Sequence, residues 1–206
     1  MPLKLSVTSA AILGQLALRP WTTYELATEM RRNFRYFWPR AESQIYAEIK
    51  TLADKGLATA KRTFVGKRGR TTYTITKAGK AALAQWLDTP PKSASMEFEG
   101  LLRIFFGPLG NDEQALLALD RILGEAHDLV SHEKQIQGEY QAGSAPIQEH
   151  IHYRVFIWDF LRRYADMVAE WAEETRDEIE ARSGLPIQKQ QLRAMALFDS
   201  VKPSKA

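Results

Sequence analysis

The chain has 206 residues, 45% of them apolar and 26% charged, enough to bury a core in one large domain or two small ones. It has no cysteine, which excludes a disulfide framework, thiolate chemistry and cysteine-ligated metal, and fits a cytoplasmic setting. The net charge of +3 is unevenly divided: residues 1–90 hold 15 Lys and Arg against 6 Asp and Glu, residues 91–206 hold 13 against 19. A basic half followed by an acidic one suits a polyanion partner for the first and a different task for the second.

In chain order, Leu5 to Leu18 carries Ile12, Leu13 and Leu16 at helical spacing, with Ser6 or Thr8 as the cap and Pro20 as the stop. It reads as an ordinary helix and not as a signal peptide, and no run in the chain approaches the length of a membrane span. Thr22 or Thr23 caps a second helix, and Thr22 with Glu25 has capping-box spacing. After the loop "RYFWPR" a third helix buries Ile45, Ile49 and Leu52 and closes at Gly56. "LATAKRTFV" and "RTTYTIT" flank a glycine-containing turn and pair as a hairpin, and "KAGKAALAQWL" is a fourth helix. Three helices, a two-stranded wing and a helix is the order of a winged helix-turn-helix over residues 1–90.

"DTPPKSAS" marks a boundary. Beyond it, residues 96–183 read as a helical domain: a short apolar helix ended by Gly107 and Pro108, then two long antiparallel helices. Asn111 or Asp112 caps the first long helix, whose Ala115, Leu119, Ile122, Ala126, Leu129 and Ile136 form a coiled-coil seam. The second, about Ile147 to Arg182, carries two seams. One is Ile147, Ile151, Trp158, Leu161, Ala165 and Val168; the other is Ile157, Phe160, Tyr164, Met167 and Trp171. One partner helix covers one stripe, so the other stripe needs a further surface, supplied by a second copy of the chain or by the winged domain. The expected dimer contacts are Ile122, Leu129, Ile157, Phe160, Leu161, Met167, Val168 and Trp171. Residues 184–206 form a tail in which "QKQQLRAMALF" is a candidate short helix. The fold class is mostly α with a small β-wing.

Turning Ile45, Ile49 and Leu52 inward places Ser43, Tyr46 and Lys50 outward, with Arg40 and Gln44 near the helix start. Such hydrogen-bonding groups and cations suit base edges and phosphates in a major groove. Lys61, Arg62, Lys67, Arg68 and Arg70 follow on the wing, and no acidic residue stands between Lys61 and Thr76. A solubilising loop draws on both signs of charge, whereas phosphate contact calls for one. Phe98, Phe105, Trp158 and Tyr164 either pack as core and interface or frame a pocket for a small aromatic effector.

Catalytic signals are missing. "GKRGR" lacks the ending and context of a phosphate-binding loop, no serine, histidine and carboxylate set has a motif context, and His127, His132, His150 and His152 lack metal-ligand spacing. The sequence points to no enzyme, no cofactor and no metal.

"SQIYAEIKTLADKGLATAKRTFVGKRGRTTYTITKAGKAALAQWL" resembles the PadR family of bacterial transcriptional regulators, through Tyr46, Leu52, Gly56, Leu57, Tyr73, Ile75, Thr76, Gly79 and Leu83. "EFEGLLRIFF" followed by two long helices is similar to the C-terminal domain of the branch related to virulence activators. The resemblance implies a homodimeric, usually repressing, DNA-binding regulator that dimerises through its C-terminal helices; some members respond to phenolic acids or drugs. The expected partners are a pseudo-palindromic duplex, a second copy and an aromatic effector. The alternative is a protein-interaction adaptor that uses a winged helix and coiled coil without DNA.

Overall fold

The computed structural model describes residues 5–65 and 68–200. The chain divides into two compact units, Met1–Ala94 and Ser95–Ala206.

In the first unit, Ser6 caps α1 (Val7–Leu18) by accepting from the Ser9 amide. Pro20 ends this helix, and the chain enters β1 (Trp21–Thr22). Thr22 then caps α2 (Thr23–Phe34) through a capping box with Glu25. The third helix, α3 (Glu42–Asp54), buries Ile45, Ile49 and Leu52. It stops where Gly56 adopts φ 70°, which lets the Leu57 amide bond back to the Leu52 carbonyl at 2.9 Å. β2 (Ala58–Val65) and β3 (Arg68–Ile75) pair antiparallel from Ala58↔Ile75 to Val65↔Arg68. α4 (Lys77–Leu87) follows.

The sequence leads to a two-stranded wing, and the structure has a three-stranded sheet in the order β1-β3-β2. β1 has only two residues, too few to show alternation. It exists because Trp21 and Thr22 pair with Tyr73 and Thr72, and because the Trp21 indole donates to the Gln15 carbonyl at 2.8 Å. Ile12, Leu13, Leu16, Leu26, Ile45, Ile49 and Leu52 lie at 2% exposure or less around it, forming the core that fixes α3.

The second unit is a helical hairpin with appendages. α5 (Glu99–Phe105) leans on α6 at Gly100, where an added Cβ would meet Ile122 Cδ1 at 2.8 Å. α6 (Asp112–Gln141) starts with an Asn111–Gln114 capping box and buries all six residues of its expected seam. α7 (Ile151–Arg182) runs back along it. Arg162 meets Glu133 at 2.6 Å, Arg154 donates to the Tyr140 hydroxyl at 2.9 Å, Arg176 pairs with Asp120, and His132 lies edge-on to Trp158 at 5.7 Å. α7 starts four residues later than the periodicity suggests, because Gln148–His150 is a 3-10 turn. Ile147 is nonetheless buried, while Ile151 is exposed. The tail holds α8 (Ile187–Ser200).

Gly79 carries a packing constraint. A Cβ there would stand 2.1 Å from the Leu57 carbonyl oxygen, a backbone atom that cannot swing aside. Thr76 binds the same corner, accepting from Gly79 N at 3.0 Å and donating to Gly56 O at 2.8 Å. Gly79→Ala is expected to destabilise the fold by more than about 2 kcal/mol through forced displacement, against about 1 kcal/mol for the lost cap in Thr76→Ala. Urea midpoints measure both; a Gly79→Ala protein as stable as the parent would refute the close approach.

Candidate nucleic-acid interface

α3 presents one face because its other face is spent. With Ile45, Ile49 and Leu52 buried, Ser43, Ala47 and Lys50 are exposed on the opposite side. Gln44 sits to the flank, beside Ser6, Thr8, Arg40 and Glu48 in a shallow cleft between the starts of α1 and α3. Arg40 donates through Nε to Thr8 Oγ1 at 3.3 Å and lies 4.1 Å above the Trp38 ring. Tyr46 stands half-buried on the other flank, its hydroxyl 3.4 Å from a Glu42 oxygen whose carboxylate also holds Arg31 at 2.5 Å. Partial burial and then the Glu42 carboxylate push the Tyr46 phenol above its ordinary value, so it remains a neutral hydrogen-bond donor at physiological pH.

Two side chains of this surface were not singled out from the sequence. Tyr24 on α2 is exposed and close enough to Tyr46 to act on its titration. Ala47 stands in the middle of the exposed face of α3. Each looks like ordinary helix surface in one dimension; only the alignment of α2 beside α3 gives them a place.

The wing cations separate between two faces. Arg62 pairs with Thr71 and Lys61 with Thr72, so the two neighbours point to opposite sides of the sheet. Arg70, paired with Thr63, shares the side of Lys61. Arg62 lies 5.3 Å from the Phe64 ring and would be 3.2 Å from a Cβ at Gly69, so the glycine makes room for it. Lys61 and Arg62 are exposed without opposing charge on the hairpin. Lys67 and the side chain of Arg68 lie outside the described residues.

Arg70 is engaged. Its Nη2 meets Glu25 Oε1 at 2.8 Å, while Glu25 Oε2 accepts from the Thr22 amide at 2.9 Å and the Thr22 hydroxyl at 2.6 Å. Burial pushes the Glu25 carboxyl up, but the Thr22 hydroxyl, the Thr22 amide and Arg70 together hold it down at about 2. One carboxylate thereby closes the capping box of α2 and ties β3 to that helix.

The residues expected to frame an effector pocket do not converge within the described chain. Trp158 is buried against His132, and Phe105 is exposed, edge-on to Phe106 at 5.1 Å. α5 meets α6 at Ile122, ten residues or about 15 Å of helix from His132. Phe98 and Tyr164 are half-buried on those separate stretches. Of the expected dimer contacts, Ile122, Leu129, Leu161 and Val168 are buried within one chain, Ile122 partly against α5 at Gly100. Their area is consumed inside the second unit. Ile157, Phe160 and Met167 are bare, and Trp171 is half-buried. Among the described residues no group of three His, Cys, Asp or Glu is placed to hold a metal ion, and no helix is long and apolar enough to cross a membrane.

The profile of the transcriptional regulator PadR-like family matches residues 12–85. The negative transcriptional regulator PadR of Bacillus subtilis is 30% identical over 138 residues, 66% of this chain and 74% of that protein. The crystal structure of Bacillus subtilis PadR in complex with operator DNA matches with a TM-score of 0.68 at 23% identity, covering 84% of this chain and 99% of that one. The same protein in complex with p-coumaric acid matches with a TM-score of 0.63 at 21% identity, covering 86% and 99%. The virulence activator AphA of Vibrio cholerae matches with a TM-score of 0.64 at 25% identity, covering 85% and 99%.

The Glu25 clamp has a pH signature. Its folded pKa of about 2 lies below the ordinary 4.5, so the clamp contributes stability that is present above pH 4.5 and lost as pH falls toward 2. Glu25→Gln is expected to be less stable than the parent at pH 7, and the gap should shrink between pH 4.5 and pH 2. Denaturant midpoints of the two proteins across that range decide it; a constant gap would mean the carboxylate charge is not what holds the corner.

Proposed function

The chain belongs to the PadR-like family of transcriptional regulators, and we propose that it is a homodimeric repressor that occupies a pseudo-palindromic operator and is released by a small aromatic effector. Members of this family are regulators and not enzymes. Residues 1–90 serve as the DNA-binding domain and residues 96–183 as the dimerisation domain, in the cytoplasm where the chromosome is.

The observation that carries the reading is the cluster of cations on the wing, where no acidic residue stands between Lys61 and Thr76. Lys50 on the exposed face of α3 and Lys61 and Arg62 on the wing have no ion pair among the described residues and suit an anionic partner. α3 enters a major groove, Ser43, Gln44 and Tyr46 read base edges, and Arg40, Lys50, Lys61, Arg62, Lys67 and Arg68 meet phosphates. Arg70 contributes by holding the wing to α2 and by its own charge.

Dimerisation follows from α7. Its second stripe is uncovered by its own hairpin, and an uncovered apolar stripe on a long helix calls for another copy. A twofold axis through that stripe places two α3 helices for two half-sites. Occupancy then blocks a promoter, and any ligand that changes the spacing of the two helices changes affinity. Bacillus subtilis PadR has been crystallised with p-coumaric acid, which supports an effector of the phenolic-acid class for this chain; adding such acids to the protein–operator complex tests for release.

The two parts of the surface should fail differently. Lys61→Ala with Arg62→Ala should weaken binding to every sequence and flatten the salt dependence by about 0.9 per lost phosphate contact. Gln44→Ala or Ser43→Ala should weaken the specific site by roughly 1–3 kcal/mol and spare non-specific binding. Fluorescence titrations over a salt series separate these outcomes, and identical behaviour of all variants would refute the docking.

Half-site geometry gives a further test. Two recognition helices on one face of B-DNA require half-site centres about 10 base pairs, or a multiple, apart. After a footprint locates the protected site, inserting about half a turn between half-sites should leave only single-site affinity. Unchanged affinity would mean a monomeric reader and would overturn repression by a dimer on paired half-sites.

A further inference from the structure

Residues 1–90 hold six acidic side chains, and five of them have an evident place. Glu25, Glu29 and Glu42 meet Arg70, Arg32 and Arg31, while Asp54 and Asp88 stand exposed at the ends of α3 and α4. Glu48 differs. It lies in the middle of α3 and has no cation partner among the described residues; hydroxyls hold it instead. Its Oε1 accepts from the Ser9 hydroxyl and, at 3.4 Å, from the Ser6 hydroxyl. Both serines are fixed in turn. Ser9 is 4% exposed, and Ser6 Oγ accepts from the Ser9 amide at 3.0 Å as the cap of α1.

Hydroxyls align a carboxylate without cancelling its charge, and these two engage one oxygen only. Oε2 of Glu48 has no donor among the described residues. Glu48 lines the cleft at the start of α3 together with Gln44, Ala47 and Arg40. Because its rotamer is already fixed in the free protein, a contact made by Oε2 loses little entropy on binding.

An uncancelled negative charge is repelled by phosphates. On a helix set into a major groove it suits one kind of group, an amino group on a base edge. Cytosine presents its N4 amine there without an acceptor beside it. Adenine sets N7 next to its N6 amine, so the carboxylate would meet a lone pair, and guanine and thymine offer acceptors but no donor. Spacing then limits the position. Gln44 and Glu48 are about 6 Å apart along α3, and base pairs rise by about 3.4 Å. The base facing Glu48 therefore lies one or two base pairs from the base facing Gln44.

We propose that Glu48 is a specificity-determining residue: held at Oε1 by Ser9 and Ser6, it accepts through Oε2 from the N4 amine of a cytosine near the base that Gln44 reads. The assignment rests on the reading of α3 as the recognition helix and adds an acidic reader to a surface otherwise given to cations and neutral hydrogen-bonding groups.

Glu48→Gln tests it with almost no change of shape. The amide carbonyl can keep the serine bonds, and a donor then stands where Oε2 accepted. Full-length parent, Gln44→Ala and Glu48→Gln proteins each select duplexes from a randomised library, and titrations follow on the selected site and its single-base variants. The parent should prefer cytosine by about 5- to 150-fold at a position one or two base pairs from the one that Gln44→Ala relaxes. Glu48→Gln should lose that preference, accept guanine or thymine there at least as well, and leave every other position unchanged. Glu48→Asp, which keeps the charge and shortens the reach, should reduce the same preference alone. A Glu48→Gln protein with the parent's preference at every position, its affinity intact or uniformly lower, overturns the assignment, since the carboxylate then only braces α3 against α1. A parent motif without cytosine preference near the Gln44 position overturns it equally and leaves α3 as the reader. A parent that selects no sequence overturns the recognition role of α3 and the part of Glu48 together.

Discussion

A helix can hide only as much of its surface as its neighbours cover, and both functional surfaces of this protein follow from that limit. α3 sets Ile45, Ile49 and Leu52 into a core shared with α1, α2 and the sheet, at 1% exposure or less. That burial decides the rotation of the helix, and the rotation decides that Ser43, Ala47 and Lys50 face out. α7 shows the same limit from the other side. α6 takes Trp158, Leu161, Ala165 and Val168, and no further described helix of the second unit covers Tyr153, Phe156, Phe160 and Met167. One excess of surface carries cations and hydrogen-bonding groups, the other exposed apolar side chains.

Aim matters as much as composition. A hairpin carrying only cations repels itself, and isolated two-stranded ribbons are marginal in water. Here three features hold the hairpin: the two-residue strand β1, the Trp21 indole on the Gln15 carbonyl, and the Glu25 carboxylate between the start of α2 and Arg70. Glu25 serves helix capping and wing attachment at once, which ties the orientation of the wing to the helix pair that carries α3. The separation of Lys61 and Arg70 from Arg62 onto opposite faces gives the wing charge on both flanks, as suits an element that lies along a groove between two phosphate rows.

Much of this was legible in one dimension because it rests on local chemistry. Thr22 and Glu25 are three residues apart and close a capping box; Gly56 takes the left-handed turn that ends α3; Asn111 caps α6 and its six-residue seam is buried as spaced. These signals depend on neighbours within about one or two helical turns. Other features escaped because they depend on distant partners. β1 is too short to alternate and is a strand only through Tyr73 and Thr72. Phe98, Phe105, Trp158 and Tyr164 share an aromatic character but not a place, since α5 and the Trp158 contact sit at different heights on α6.

By itself the sequence determined the order of the helices and the hairpin, the candidate caps, the buried stripe of α6 and the charge of each half, since hydrophobic period and formal charge are properties of the string. The tertiary structure alone decided which stripe of α7 was consumed by α6, which cations share a face, that Arg70 is held by Glu25, and that Glu48 is held by Ser9. The physical reason is that each of these is a competition between surfaces far apart in the chain for a limited area of contact. Periodicity names the contestants; only packing in three dimensions settles which of them is left facing water.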